Sequence, residues 1–253
     1  MSFTTCNILG VPINNVNLNE ALNLVLLYLE ENEKRMIFTP NPEFVINALE
    51  DKEFMEILNK SNLNIPDGIG IVIGAKILGY NMKERVPGYD LTQKIFSKIK
   101  NTNKTVYFLG ASEETITLAK KMMEQKYKGL KIVGTHNGYF KDNEGNIIID
   151  EINKVSPDLL LVGLGSPRQE KWIYNNKEKL NVKVMIGVGG SFDVMSGNVK
   201  RAPKIFIKLN LEWFYRLITQ PTRFKRMLKL PLFIIKVLKY KIKGDKNERT
   251  IKK

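Results

Sequence analysis

The sequence predicts an α/β fold, a Rossmann-like and mainly parallel sheet followed by a helical, basic C-terminal appendage. Three observations predict it. Short apolar runs alternate with amphipathic stretches over the first 199 residues, the pattern of strands joined by crossover helices. Five of those runs lead directly into glycine-rich or polar turns. The charge is also divided unevenly: residues 200–253 hold 17 Lys and Arg against 3 Asp and Glu, whereas residues 1–199 balance 23 against 23. A neutral body of residues 1–199 therefore carries a basic appendage of residues 200–253.

The expected strands are Met36 to Thr39, Leu63 to Ile65, Thr105 to Leu109, Lys131 to Val133, Leu159 to Gly163 and Val184 to Val188, each a short apolar run. Helices are expected between them. Leu18 to Glu31 repeats apolar residues at helical spacing behind a capping residue, Asn17. Pro42 to Glu50 places proline at a first-turn position after Asn41, where its missing N–H costs nothing. Further helices are read at Gly68 to Leu78, Tyr89 to Ile99, Ser112 to Lys126 and Pro167 to Asn175.

Ligands of open parallel sheets bind beyond the carboxyl ends of the strands. The turns at Thr39-Pro40-Asn41-Pro42, Pro66-Asp67-Gly68, Gly110-Ala111-Ser112, Gly163-Leu164-Gly165-Ser166 and Gly187-Val188-Gly189-Gly190 belong at that end. Any one of them reads equally as a tight turn, but five together favour a nucleotide or phosphate site. None matches a dinucleotide fingerprint or a Walker loop, which disfavours hydride transfer and ATP hydrolysis.

Asp67 ends one expected strand and opens an apolar helix. A carboxylate held there and partly desolvated suits proton abstraction from a hydroxyl; it reads equally as the cap of the helix that follows. Thr39 and Asn41 project from a turn stiffened by two prolines, as substrate-positioning groups or as plain turn residues. Arg85 is a phosphate ligand or a surface arginine. In GLGSPRQEKW, Arg168, Gln169 and Glu170 lie just inside a helix whose first amides favour an anion, and Gln169 can bond a sugar or base. Asp193 reads first as a structural cap, His136 as a structural or solvated loop residue, and Cys6 as a small core residue.

A single cysteine and a single histidine leave no internal disulfide and argue against multi-histidine zinc sites. Asp-x-Asp, with which many sugar-nucleotide enzymes hold a divalent cation, does not occur; Asp51-Lys52-Glu53 approximates it in an expected solvated helix. A diphosphate leaving group would then be met by arginine and lysine. The opening MSFTTCNILGV has no basic and apolar signal pattern, and no run reaches the ~18 apolar residues of a spanning helix, so residence in the cytoplasm is expected.

The appendage is apolar as well as basic. Ile205, Leu209, Trp213 and Phe214 fall near one helical face, Pro221 and Pro231 are read as breaks, and Lys236, Lys239 and Lys243 share a face opposite much of the apolar set. That is the layout of a helix lying on an anionic membrane, in competition with a helix packed on the core or an RNA-binding arm. The apolar density favours lipid over nucleic acid.

Seven blocks in order, FTPNPEFV, IPDGIGIVIGAKILG, ERVPGYDL, VYFLGAS, PDLLLVGLGSPRQEKWI, GVGGSFDVMSGNVKRAP and EWFYRLITQPTRFKRM, resemble the WecG/TagA/CpsF glycosyltransferase family over roughly residues 6 to 240. Within it the chain looks most like the N-acetylmannosaminyltransferases of wall teichoic acid linkage-unit assembly. The resemblance implies UDP-N-acetylmannosamine as donor, undecaprenyl-diphosphate-linked N-acetylglucosamine as acceptor, an inverted β(1→4) linkage and no metal or other cofactor. It implies Asp67 as general base, Thr39, Asn41, Arg85 and Gln169 as pocket residues, and Arg216, Arg223 and Arg226 as appendage arginines reaching the donor diphosphate. It also implies docking of the appendage on the anionic inner face of the cell membrane. The alternatives are transfer of the uronic-acid form of the same sugar, or a non-enzymatic adaptor or RNA-binding protein on an inactive core.

Overall fold

The computed structural model describes residues 3–141, 145–219 and 224–251, without the side chains of residues 225, 226 and 244–251. In chain order the elements are β1 (Thr5–Ile8), β2 (Val11–Asn14), α1 (Leu18–Glu30), β3 (Arg35–Phe38), α2 (Pro42–Glu50), α3 (Lys52–Asn59), β4 (Leu63–Asn64), α4 (Ile69–Ile77), α5 (Gly88–Ile99), β5 (Thr105–Gly110) and α6 (Glu113–Lys126). Then follow β6 (Lys131–His136), α7 (Gly145–Val155), β7 (Leu159–Gly163), α8 (Arg168–Asn176), β8 (Val184–Gly187), α9 (Ser191–Met195), α10 (Lys204–Lys208), α11 (Glu212–Thr219), α12 (Phe224–Met227) and α13 (Lys229–Ile251).

Six strands form one parallel sheet in the order β4-β3-β8-β7-β5-β6. The first and last of them, β3 and β8, lie side by side within it. The expected α/β architecture with a parallel sheet is thus present. Alternation along the strands sorts side chains between two buried layers. Met36, Phe38, Leu160, Val162 and Met185 face one apolar cluster with α2, α3 and α4. Ile37, Val106, Phe108, Leu159, Leu161 and Ile186 face the other, with α1, α5 and α6.

Local chemistry fixes the helix starts. Asn17 and Glu20 form a reciprocal capping box on α1, and Asn41, Asp51 and Ser112 each accept a backbone N–H in the first turns of α2, α3 and α6. The β1–β2 hairpin, which periodicity did not mark, covers the β4 edge of the sheet: Asn14 Oδ1 accepts from the Asn64 backbone N–H at 2.7 Å, and Asn64 Nδ2 donates to the Pro12 carbonyl.

Three readings of the appendage and its surroundings change. Ile205 and Leu209 do not share a helix with Trp213 and Phe214, because Asn210 takes a left-handed φ of 58° between α10 and α11. Pro231 breaks nothing, since it sits in the first turn of α13, where no intrahelical N–H is needed. Pro221 lies outside the described residues. β6 runs on to His136, which is a strand residue and not a loop one.

Part of the appendage is packed on the body. Phe233 and Val237 of α13 are fully buried in the same cluster as α2 and α4. Two glycines of α4 make room for this. A Cβ on Gly74 would lie 2.6 Å from Phe233, and one on Gly70 would lie 2.7 Å from Leu230. The repeated glycines of IPDGIGIVIGAKILG therefore serve helix packing as well as the strand-to-helix turn. Among the described residues no helix is long and apolar enough to cross a membrane.

Candidate active site

A cavity of about 540 Å³ opens at the carboxyl ends of β3, β4, β5, β7 and β8, with residues of all five following turns in its wall. Thr39, Asp67, Ser112, Gly163 and Gly189 come from the body; Glu212, Trp213, Arg216 and Leu230 come from the appendage. The site is thus enclosed by both halves of the charge division read from the sequence.

Asp67 lies at the strand-to-helix turn after β4. It is not the cap of α4: that position is Gly68, at φ 93°, with no side-chain capping bond. The backbone carries the turn instead, as Asp67 N–H donates to the Pro40 carbonyl at 3.0 Å and Val86 N–H donates to that of Pro66 at 2.8 Å. The carboxylate accepts from Gly88 N–H at the start of α5. Burial pushes its pKa up to about 6, against the pull of Arg85, Arg216 and the Gly88 bond, with Glu212 adding a further upward push. Gly88 can lie this close because it has no side chain; a Cβ there would come within 2.8 Å of Thr39 Cγ2.

Three charged groups converge beside Asp67. Glu212 bridges two guanidinium groups: Oε2 is 3.3 Å from Arg85 Nη2, and Oε1 is 2.9 Å from Arg216 Nη2. The Arg85 and Glu212 side chains are each only 11% exposed. Arg85 comes from the body and Glu212 from α11, so this pair crosses from one half of the chain to the other. A second pair does the same nearby: Arg201 meets Asp90 at 2.6 Å and lies over the Tyr89 ring.

Thr39 is buried in the wall, and Asn41 lines it while its Oδ1 caps α2 through Phe44 N–H at 3.1 Å, leaving its amide NH2 as the group it can offer. Gln169 also reaches the wall, yet both ends of its amide are engaged. Its Oε1 accepts from Gly189 N–H at 3.0 Å and its Nε2 donates to Glu170 Oε1 at 2.6 Å. It fixes the loop after β8. Glu170 is completely buried beneath, and burial pushes its carboxyl up to about 7, opposed by Gln169 and Ser166.

The Glycosyl transferase WecG/TagA/CpsF family model matches residues 6–247. The chain belongs to this glycosyltransferase family. It is 37% identical over 242 residues to the N-acetylglucosaminyldiphosphoundecaprenol N-acetyl-beta-D-mannosaminyltransferase of Bacillus subtilis (strain 168), spanning 95% of this chain and 92% of that protein. To the protein of the same name from Bacillus spizizenii it is 38% identical, over 86% and 84% of the two chains. To that of Staphylococcus aureus it is 32% identical, over 95% and 94%.

Five of the residues read as site residues in this glycosyltransferase, Thr39, Asn41, Asp67, Arg85 and Gln169, meet at one cavity together with Arg216 of the appendage. Arg223 and the side chain of Arg226 lie outside the described residues. Asp193 lines the cavity from α9. Arg168 turns away, donating to the carbonyls of Gly138 and Phe140 at 3.0 and 3.3 Å and stacking on the Phe140 ring, so it secures a loop. His136 packs edge-on against the same ring, and Cys6 is buried in β1. Asp51 and Glu53 are not simply solvated, since Lys171 bridges them at 2.7 and 2.6 Å.

Glu212 was not marked from the sequence. Its signal was present in EWFYR, where Glu212 and Arg216 are four apart on one helical face. Periodicity alone, however, could not tell that the pair points into a cavity of the body. Gly88 was equally silent, because its part is played by a backbone N–H.

Proposed function

We propose that the chain transfers N-acetylmannosamine from UDP-N-acetylmannosamine to undecaprenyl-diphosphate-linked N-acetylglucosamine. The transfer inverts to a β(1→4) linkage, needs no metal, and builds the linkage unit of wall teichoic acid. Membership of the family and the names of the relatives support the reaction class and the acceptor. The observation that carries the chemistry is a carboxyl raised to about 6 in a cavity where Arg85 and Arg216 also converge.

Inversion requires a single in-line attack, with a base at the nucleophile and positive charge at the leaving group. Asp67, ionised above pH 6 and held by the Gly88 N–H, accepts the proton of the acceptor hydroxyl as its oxygen attacks the anomeric carbon. The bond from that carbon to the diphosphate breaks, and the UDP leaves with its charge met by Arg216, Arg223 and Arg226. Thr39, Asn41 and Arg85 orient the sugars, and Gln169 holds the wall behind them.

Residues 1–199 act in this reading as the catalytic body, and residues 200–253 dock on the anionic inner face of the cell membrane and complete the site. Eleven of the twenty large apolar side chains left exposed among the described residues lie beyond residue 200, among them Ile205, Leu209, Phe224 and Ile242. Beside the lysines of α13 they suit an interface that is both apolar and negative, where each basic residue adds roughly 1 kcal/mol. The apolar share of this surface favours lipid over nucleic acid.

The decisive assay follows UDP release by the full chain with UDP-N-acetylmannosamine and a short-chain polyprenyl-diphosphate N-acetylglucosamine, with and without EDTA. Acceptor-dependent release that survives EDTA is the expected result. Release abolished by EDTA removes metal independence. Release only with the uronic-acid donor replaces the sugar, and none with either donor removes the enzymatic reading.

A further inference from the structure

Glu212 is buried in the cavity wall and has no part in the proton abstraction assigned to Asp67. Its two oxygens each meet a different guanidinium, Arg85 from the body at 3.3 Å and Arg216 from its own helix at 2.9 Å. A carboxylate bridging two guanidinium groups presents what a phosphate presents: paired anionic oxygens accepting from planar donors. Trp213, its neighbour in sequence, lines the same cavity, so the first turns of α11 form part of the wall.

We propose that Glu212 is an internal placeholder for the donor diphosphate. Before the nucleotide arrives it neutralises Arg85 and Arg216 and holds α11 against the body. The incoming diphosphate takes over Arg216, and the displaced carboxylate turns away from that guanidinium while keeping Arg85, with α11 staying at the cavity. Donor entry is thereby an exchange of one anion for another at Arg216. Partly buried guanidinium groups stay paired at every stage, which avoids the cost of leaving such charges alone. The inference rests on the reading of Arg216 as a diphosphate ligand.

The experiment is calorimetric titration of UDP into the full-length parent, Glu212→Gln, Glu212→Asp and Arg216→Ala, with circular dichroism to verify folding. A placeholder competes with the ligand, so Glu212→Gln is expected to bind UDP at least about fivefold more tightly, the low end of the range for coupling between two ligands at linked sites. Glu212→Asp keeps the charge but is too short to bridge both guanidinium groups, and is expected to tighten binding as well. If Glu212→Asp matches the parent while only Glu212→Gln gains, the carboxylate acts through its field alone and the exchange is wrong. Unchanged or weaker binding in a folded Glu212→Gln makes it a plain structural clamp and also overturns the proposal. Arg216→Ala separates the two readings. If it binds UDP as the parent does, Arg216 is no diphosphate ligand and the underlying assignment fails; if it weakens binding while the Glu212 variants gain nothing, only the placeholder fails.

Discussion

The body and the appendage are held together by different physics. In the body, strands alternate their side chains between two apolar layers, and helix starts are fixed by side-chain caps at Asn17, Asn41, Asp51 and Ser112. In the appendage, α10 buries nothing, α11 buries only Glu212, and α13 is anchored by Phe233 and Val237. In the proposed reaction the body presents the base, and α11, which buries a single side chain, presents the positive charge for the leaving group. Regions with few buried apolar contacts open most readily, which suits elements that must admit and release a substrate.

The largest expected effect lies in the body. Asp67→Asn is expected to lower turnover by about 10³-fold, within the 10²–10⁴ range of general bases, with UDP affinity nearly unchanged. The parent should also lose kcat/KM on the acid side with a midpoint near pH 6, as Asp67 takes up its proton. A variant retaining more than about a tenth of parental turnover would remove Asp67 as the base. Arg216→Ala comes next, with an expected loss of about 10²-fold in kcat, the scale of removing one charge-stabilising donor. If the loss appeared only in KM, the guanidinium would serve binding and not the leaving group.

A third variant tests whether the two halves differ in stability at all. Phe233→Ala empties the contact against Gly74 and is expected to cost about 3 kcal/mol, the lower end for a buried aromatic. Hydrogen exchange should show that cost in the amides of α13, with those of β5, β7 and β8 unmoved. Equal loss in the central strands would mean that the halves unfold as one unit, and the comparison would collapse.

The body was the more legible half for a physical reason. Strand ends announced themselves through apolar runs stopped by glycine and polar turns, and because parallel strands place those turns at one end, Thr39, Asp67 and Gly163 fell together in the sequence reading and in space. Helix caps were legible where one side chain does the work, as at Asn17. Contacts between distant segments were not. The approach of Phe233 to Gly74 and the bridge from Glu212 to Arg85 depend on where the appendage folds back, which no local period records. The β1–β2 hairpin escaped notice because two four-residue strands give too little alternation to register.

The smallest expected effect sharpens the contrast between two buried glutamates. In the appendage, both Glu212 oxygens meet guanidinium groups. In the body, Glu170 Oε1 accepts from Gln169, Oε2 has no good hydrogen bond, and burial raises the pKa to about 7 from 4.5. Between those two values the folded chain holds a proton that the unfolded chain has released, so stability falls as pH rises through that window, and the cost is complete above about pH 7. Each pKa unit corresponds to about 1.4 kcal/mol, but a replacement amide brings its own unmet hydrogen bond, so Glu170→Gln is expected to stabilise by about 1–2 kcal/mol at pH 8. Urea midpoints at pH 8 and pH 5 are the measurement, and the gain should shrink at the lower pH, where the parent carboxyl is already protonated in the folded state. A gain equal at both pH values would mean that the substituted amide packs better and that ionisation is irrelevant. A loss at pH 8 would mean that the carboxylate is stabilised where it lies, and that the body, like the appendage, holds its buried charge by pairing and not by rigidity.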